Sequence, residues 1–348
     1  MTSKRLQKGG RNSTNIQADN INIGITYIDA KKIAEDVFKA NFLNLTDRAE
    51  KIAYQRASTL IMKFLEELRI RSPESIQSFQ DPDMQYDLFI AQRDYARSGN
   101  ESLSKMLVDL LVERAKANQS SFLQIVLNEA IITVPKLLPV HLDTLSATFL
   151  IKYTQIQAKK VSDFQNYIRL LNPFVGNITN NNTVYQHLEY ADCGVVSHQQ
   201  QGIMMVPSRL SVFWKNRYSG LFSKGFTESE LMKALPSDIP PSQLPLIKCI
   251  RNSDMLQFDL INPDELRKLK LEAGTTQKLI ELHDKHLLDN DEVEKLLISW
   301  APKIEKMLNI WHLSTLQRMN LTSVGIAIGH ANFRSKTKQE FDLSEWLT

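Results

Sequence analysis

Glu281, His283, Asp284 and His286 crowd one short stretch of a 348-residue chain. Side chains three apart share a helix face, so His283 and His286 could hold one metal ion. The His-Glu-x-x-His spacing is absent, and neither Cys193 nor Cys249 lies nearby. A solvated helix face is the favoured reading; the two histidines are weak metal candidates and no cofactor is assigned. A second stretch, Ser208–Phe226, interleaves Arg209, Lys215, Arg217 and Lys224 with Phe213, Trp214, Tyr218 and Phe222. Basic and aromatic side chains together bind phosphates and stack bases. Arg209, Trp214, Lys215 and Arg217 are therefore candidate nucleic-acid contacts. The same pattern suits an amphipathic helix with a buried aromatic face, and that reading is preferred because no nucleic-acid motif accompanies it. His330, among small residues, reads as a packing histidine. Nucleotide-binding glycine loops, the nucleophile elbow and paired-cysteine zinc motifs are all missing, so no catalytic residue is assigned.

The elements that would position these residues are mostly helical. Asp29 is expected to cap a first helix, with Ile28 stapled to Ile33. A second runs from near Thr46 to Ser72-Pro73, with its apolar stripe from Ala49 to Leu68. A third runs from Asp81-Pro82 to Ser98-Gly99. Further helices are expected around 103–111, 122–132, 141–157 and 162–171. Residues 177–245 read as a mixed connector containing a capping box at Thr227–Glu230. A hairpin is expected at 246–261, and helices follow to the end. The expected units are 1–26, 27–176, 177–245 and 246–348.

The leading segment differs from the rest. Thr14, Ile16 and Ala18 fall on one alternation; Ile21, Ile23 and Ile25 fall on the other. A period of two predicts strand, and the change of phase at Asp19-Asn20 predicts a corner. Two short strands cannot shelter their isoleucines alone. Self-association is therefore favoured over an unstructured tail or a strand added to the chain's own hairpin. Ile16, Ile21, Ile23 and Ile25 would form a buried seam, while Asn15, Gln17, Asn20 and Asn22 would pair as amide ladders. The expected fold is mainly α: a multi-helix body with a small β-hairpin and an N-terminal β-forming oligomerisation segment.

Composition narrows the class. Hydrophobic residues make up 43% and charged residues 23%, ordinary globular proportions. A net charge of +3 is too mild to imply a nucleic-acid binder. Two lone cysteines point to a reducing cytoplasm. Met1–Gly10 is polar and basic without an apolar run behind it, so neither a signal peptide nor a membrane span is expected.

The opening Asn12-Ser13-Thr14-Asn15-Ile16-Gln17-Ala18, the closing Leu321–Asn332 and Asp342-Leu343-Ser344-Glu345-Trp346 resemble a bacterial family of uncharacterised proteins that open and close in this way. Ile16-Gln17-Ala18 is similar to amyloid-signalling cores, but Ala18-Asp19 stands where Val-Gly belongs, which favours a finite oligomer over a fibril. Tyr185-Gln186-His187-Leu188-Glu189 and Leu321-Thr322-Ser323-Val324-Gly325 are more weakly similar to motifs of the abortive-infection Abi-alpha family. That resemblance implies a place in defence against phage, triggered by a phage or host protein, and brings no catalytic residues. The expected function is a homo-oligomeric scaffold or interaction protein. A metal-dependent nuclease or hydrolase and a nucleic-acid-binding module are the alternatives.

Overall fold

The computed structural model describes residues 24–42, 45–117, 120–197, 208–339 and 341–347. Its first helix, α1 (Tyr27–Asn41), starts where Thr26 and Asp29 cap each other. Thr26 Oγ1 accepts the Asp29 N–H at 3.2 Å, and Asp29 Oδ2 accepts the Thr26 N–H at 3.1 Å. The expected cap at Asp29 is thus corrected to Thr26. Thr26 takes a free helical N–H first, which makes Asp29 the reciprocal partner one turn in. The staple is lost with the shift, and Ile28 lies 81% exposed.

Helix α2 (Asp47–Arg71) runs antiparallel to α1. Phe38 meets Tyr54 at 5.8 Å between ring centroids, and Ser58 donates to Glu35 at 3.1 Å. The expected stripe is buried from Ala53 through Leu60, Phe64 and Leu68. A short 3₁₀ segment at Pro73–Gln80 leads to α3 (Pro82–Ser98), capped by Asp81 and stopped by left-handed Gly99. Then come α4 (Glu101–Lys116), α5 (Phe122–Thr133) and α6 (Pro139–Thr148).

Helix α6 widens into a π-turn at Phe149–Tyr153 and stops there, short of the expected Gln157. Its last carbonyls are taken by side chains rather than by a further turn. Tyr167 and Thr154 hydroxyls donate to Leu150 O, each at 2.5 Å, and Arg217 donates to Ile151 O at 3.2 Å. Helices α7 (Val161–Arg169), α8 (Asn172–Val175) and α9 (Asn182–Tyr190) follow.

Strand β1 (Gly194–Val196) precedes α10 (Leu210–Arg217) and α11 (Glu228–Ala234). The capping box expected at Thr227 and Glu230 is present. The hairpin lies where its turn chemistry placed it. Strands β2 (Leu246–Lys248) and β3 (Leu256–Phe258) pair antiparallel, with Leu246 opposite Phe258. Helices α12 (Asp264–Arg267), α13 (Ala273–Lys285), α14 (Asn290–Trp300) and α15 (Ile304–Leu313) lead to β4 (Met319–Leu321) and α16 (Ser323–Thr337). Strand β4 pairs antiparallel with β1, Gly194 opposite Leu321.

The architecture is mainly helical, with two small two-stranded sheets among the described residues. The main core joins residues from Ala30 to Leu347. Helix α16, from the far end of the chain, packs against α4, α5 and α6 and is buried from Gly325 to Phe333. A smaller second core gathers Phe226, Leu231, Phe258, Leu266 and Leu279 around the hairpin, drawing on both sides of residue 245. No described helix is long and apolar enough to cross a membrane.

Candidate functional site

The residues singled out for chemistry are engaged within the fold. His283 is buried, its Nε2 2.8 Å from Ser219 Oγ, and burial pushes its pKa down to about 4. His286 Nε2 lies 3.1 Å from Glu230 Oε1 and ties α13 to α11. Among the described residues, no group of three or more His, Cys, Asp or Glu side chains could hold a metal ion. Arg209 reaches Asp291 at 2.9 Å and Glu294 at 2.5 Å. Lys215 donates to Asn290 Oδ1 and to Leu288 O. Arg217 caps the π-turn as described. Trp214 is fully buried, 6.0 Å from the Phe164 ring, and presents no face to a base. This is the buried aromatic face of the amphipathic reading, with its basic residues pinned by neighbouring helices. His330 Nε2 donates to Phe341 O at 3.0 Å, a packing contact.

The fold brings together two motifs that lie far apart in the chain. Tyr185–Glu189 occupies α9, and Leu321–Gly325 spans the end of β4 and the start of α16. Glu189 Oε1 accepts the Val196 N–H at 2.7 Å, which fixes β1 against α9. Cys193 O accepts the Thr322 N–H at 3.2 Å, and Thr322 Oγ1 accepts from Gly325 N at 3.1 Å to cap α16. Gly325 is required here: a Cβ would stand 1.8 Å from Cys193 O. Tyr185 donates to Thr179 O at 2.7 Å.

On the other side of β4, Lys152 donates to Gln317 O at 2.8 Å and Met319 O at 2.6 Å. Burial lowers its pKa to about 8. Tyr153 Oη accepts the Leu321 N–H at 2.7 Å, and the Trp346 indole donates to Tyr153 O at 2.8 Å. The junction therefore locks the start of α16 from both sides. Its chemistry is positional: it holds backbone in place.

The buried carboxylates Asp143 and Asp87 gave no signal in the sequence. Asp143 is fully buried and accepts from Asn332 at 3.0 Å, Asn177 at 2.7 Å and Lys336 at 2.5 Å. Asp87 meets Arg114 Nε at 2.9 Å, while Asp83 meets the same guanidinium at 2.7 Å. Burial is the main cause raising Asp87 to about 7; Arg114 opposes it, and the charges of Asp83 and Asp81 add to it. Burial, helped by the two neighbouring carboxylates, favours the protonated form of Asp87. No local signal marks either cluster, because the partners are 27 or more residues apart.

Of the assembly residues, Asn15, Ile16, Gln17, Asn20, Ile21, Asn22 and Ile23 lie outside the described residues. Ile25 is described. It is half-buried against the main core, and its N–H points at Gln77 Oε1, 3.4 Å away. The side chain of Gln77 also lies against Gly24. The leading segment thus joins the body at a defined point, beside the 3₁₀ segment 73–80.

Neither the curated proteins nor the solved structures contain a match to this chain. A family model matches residues 24–347, beginning where the described body begins, and the chain belongs to that uncharacterised protein family.

Proposed function

We propose that this protein is a homo-oligomeric interaction or scaffold protein. Its leading segment gathers several copies and so raises the local concentration of the helical bodies. The observation that carries this reading is the period-two isoleucine pattern of residues 14–25, with its change of phase at Asp19-Asn20. In strand conformation such a sequence would expose edges and isoleucines that stacked or ring-closed copies would cover. Ile25, half-buried against the chain's own core, is taken out of the proposed seam, which then rests on Ile16, Ile21 and Ile23. Defence against phage is the biological setting we propose, with a phage or host protein as trigger. It rests on the likeness of Tyr185–Glu189 and Leu321–Gly325 to Abi-alpha motifs.

The test is removal of residues 1–23 and measurement of mass by light scattering. Full-length protein should be a multiple of the chain mass, and the truncated protein should be a monomer. A monomeric full-length protein, or a truncated protein of unchanged mass, would overturn the assembly reading. For the defence setting, phage plating on cells expressing the full chain should fall, and truncation should restore it. Equal plating with and without the full chain rejects that setting.

A further inference from the structure

The end of the chain folds back on the body as a short strap. Helix α16 stops at Lys338, whose backbone is left-handed with φ +61°, a conformation that L side chains adopt only at a cost. Residues 341–347 then form a turn of their own. Asp342 caps the 3₁₀ turn Leu343–Glu345, its Oδ1 accepting from Ser344 N at 3.0 Å and from Ser344 Oγ at 2.7 Å. The Trp346 N–H donates to Leu343 O at 3.2 Å. These bonds lie inside the strap, so its turn does not depend on attachment to α16.

The apolar side chains of the strap insert into the body. Leu343 and Leu347 are buried. Phe341 stacks on Phe333 of α16 at 5.2 Å between centroids, and Trp346 meets Phe149 of the π-turn edge-on at 5.0 Å. The Trp346 indole donates to Tyr153 O at 2.8 Å, and His330 Nε2 donates to Phe341 O at 3.0 Å. Charge complements the apolar fit. The Ser344 hydrogen bonds hold the Asp342 carboxyl below its ordinary pKa, and the charges of Lys116 and His330, both from the body, act in the same sense. Aromatic and leucine anchors from one short turn, seated in apolar pockets, are how one chain recognises a peptide of another. The strap does not fill its seat. A cavity of about 430 Å³ stays open between Leu343 and Leu347 on one wall and Ala117, Phe122 and Leu123 on the other. That side lacks the close packing of an interior.

We propose that this seat is a peptide-binding groove, occupied in the single chain by its own strap, and that its external ligand is the strap of a second copy, given and received in exchange. Each contact is then reproduced between chains, and only the course of the backbone past Lys338 changes. The inference stands apart from the leading segment, because neither seat nor strap includes it.

The probe is a fluorescent synthetic peptide of residues 339–348. The protein is the full chain carrying Trp346→Ala, with circular dichroism to establish that it is folded. Fluorescence anisotropy should show the peptide binding this variant. The natural chain should bind it at least about tenfold more weakly, because the attached strap competes at high effective concentration. A peptide with the same Trp346→Ala change should bind neither. No binding to the folded variant, or equal binding to variant and natural chain, overturns the groove. Deleting Gln339 and Glu340 tests the exchange. It shortens the link by up to about 7 Å and pulls the strap out of register with its own seat. Light scattering should then give about twice the mass of the natural chain, and adding Trp346→Ala should return the mass to the natural value. A folded, shortened chain of unchanged mass overturns the exchange. If neither variant folds, the strap is an inseparable part of the core and the proposal fails.

Discussion

Gly325 and Gly274 both occupy helices, yet their surroundings are opposite. A Cβ at Gly325 would meet Cys193 O at 1.8 Å, whereas one at Gly274 would meet nothing within 4 Å. Replacing a helical glycine by alanine gains roughly 1 kcal/mol of propensity. At Gly325 that gain is outweighed by backbone displacement, which costs about 1–3 kcal/mol or more in a packed core. Urea unfolding should find Gly325→Ala destabilised by about 2 kcal/mol and Gly274→Ala stabilised by about 0.5 kcal/mol. The same scale governs the pH response. Asp87 is raised to about 7, so the folded state keeps a proton that the unfolded state releases above its ordinary 3.8. Its contribution is present below about pH 4 and is lost as pH rises towards 7. His283 and His141, both lowered to about 4 chiefly by burial, act in the opposite sense. Their contribution is full above about 6.5 and is lost as pH falls towards 4. Asp87→Asn removes the opposing slope, so its stability, measured by urea unfolding between pH 4 and 7, should rise with pH more steeply than that of the natural chain.

Elements whose signals are local were legible in the sequence. The Thr227–Glu230 box, the Asp81-Pro82 start, the Ser98-Gly99 stop and the 246–261 hairpin each depend on residues a few positions apart, and each is found. The last helix, α16, falls among those expected to follow the hairpin, and its small residues from Gly325 to Ala331 suit the close packing in which it lies. The pairing of β1 with β4 was not legible: three-residue strands carry too little periodicity, and their partners lie over a hundred residues away. The early stop of α6 was hidden for a similar reason, since Tyr167 and Arg217 take its carbonyls from other elements. The misplaced cap of α1 was a competition between neighbours, Thr26 and Asp29, that only geometry decides. The candidate residues were legible as side chains with chemical capacity, but their use was not. Arg209, Lys215 and Arg217 read as a basic face, and what engages them are Asp291, Glu294, Asn290 and the π-turn, all distant in the chain.

Among the described residues the main core and the smaller core around the hairpin are separate clusters, and they should open separately. The smaller one rests on few large side chains, among them Phe226 and Phe258, whose rings are tilted at 49° with centroids 4.9 Å apart. Regions with fewer buried apolar contacts exchange amide hydrogens through smaller openings. Phe258→Ala, costing about 3–5 kcal/mol by loss of a buried ring, should speed exchange across 226–285 and leave α4 and α16 protected. Exchange accelerated equally in α4 would show one cooperative unit instead. The position of α16 has a consequence of timing. This helix completes the main core with α4, α5 and α6, yet it leaves the ribosome more than 280 residues after the leading segment. At ordinary elongation rates that interval is on the order of tens of seconds. On a polysome, neighbouring nascent chains therefore display their leading segments well before any of them has closed its body, so under the proposed assembly partners would be chosen among chains of one message during translation.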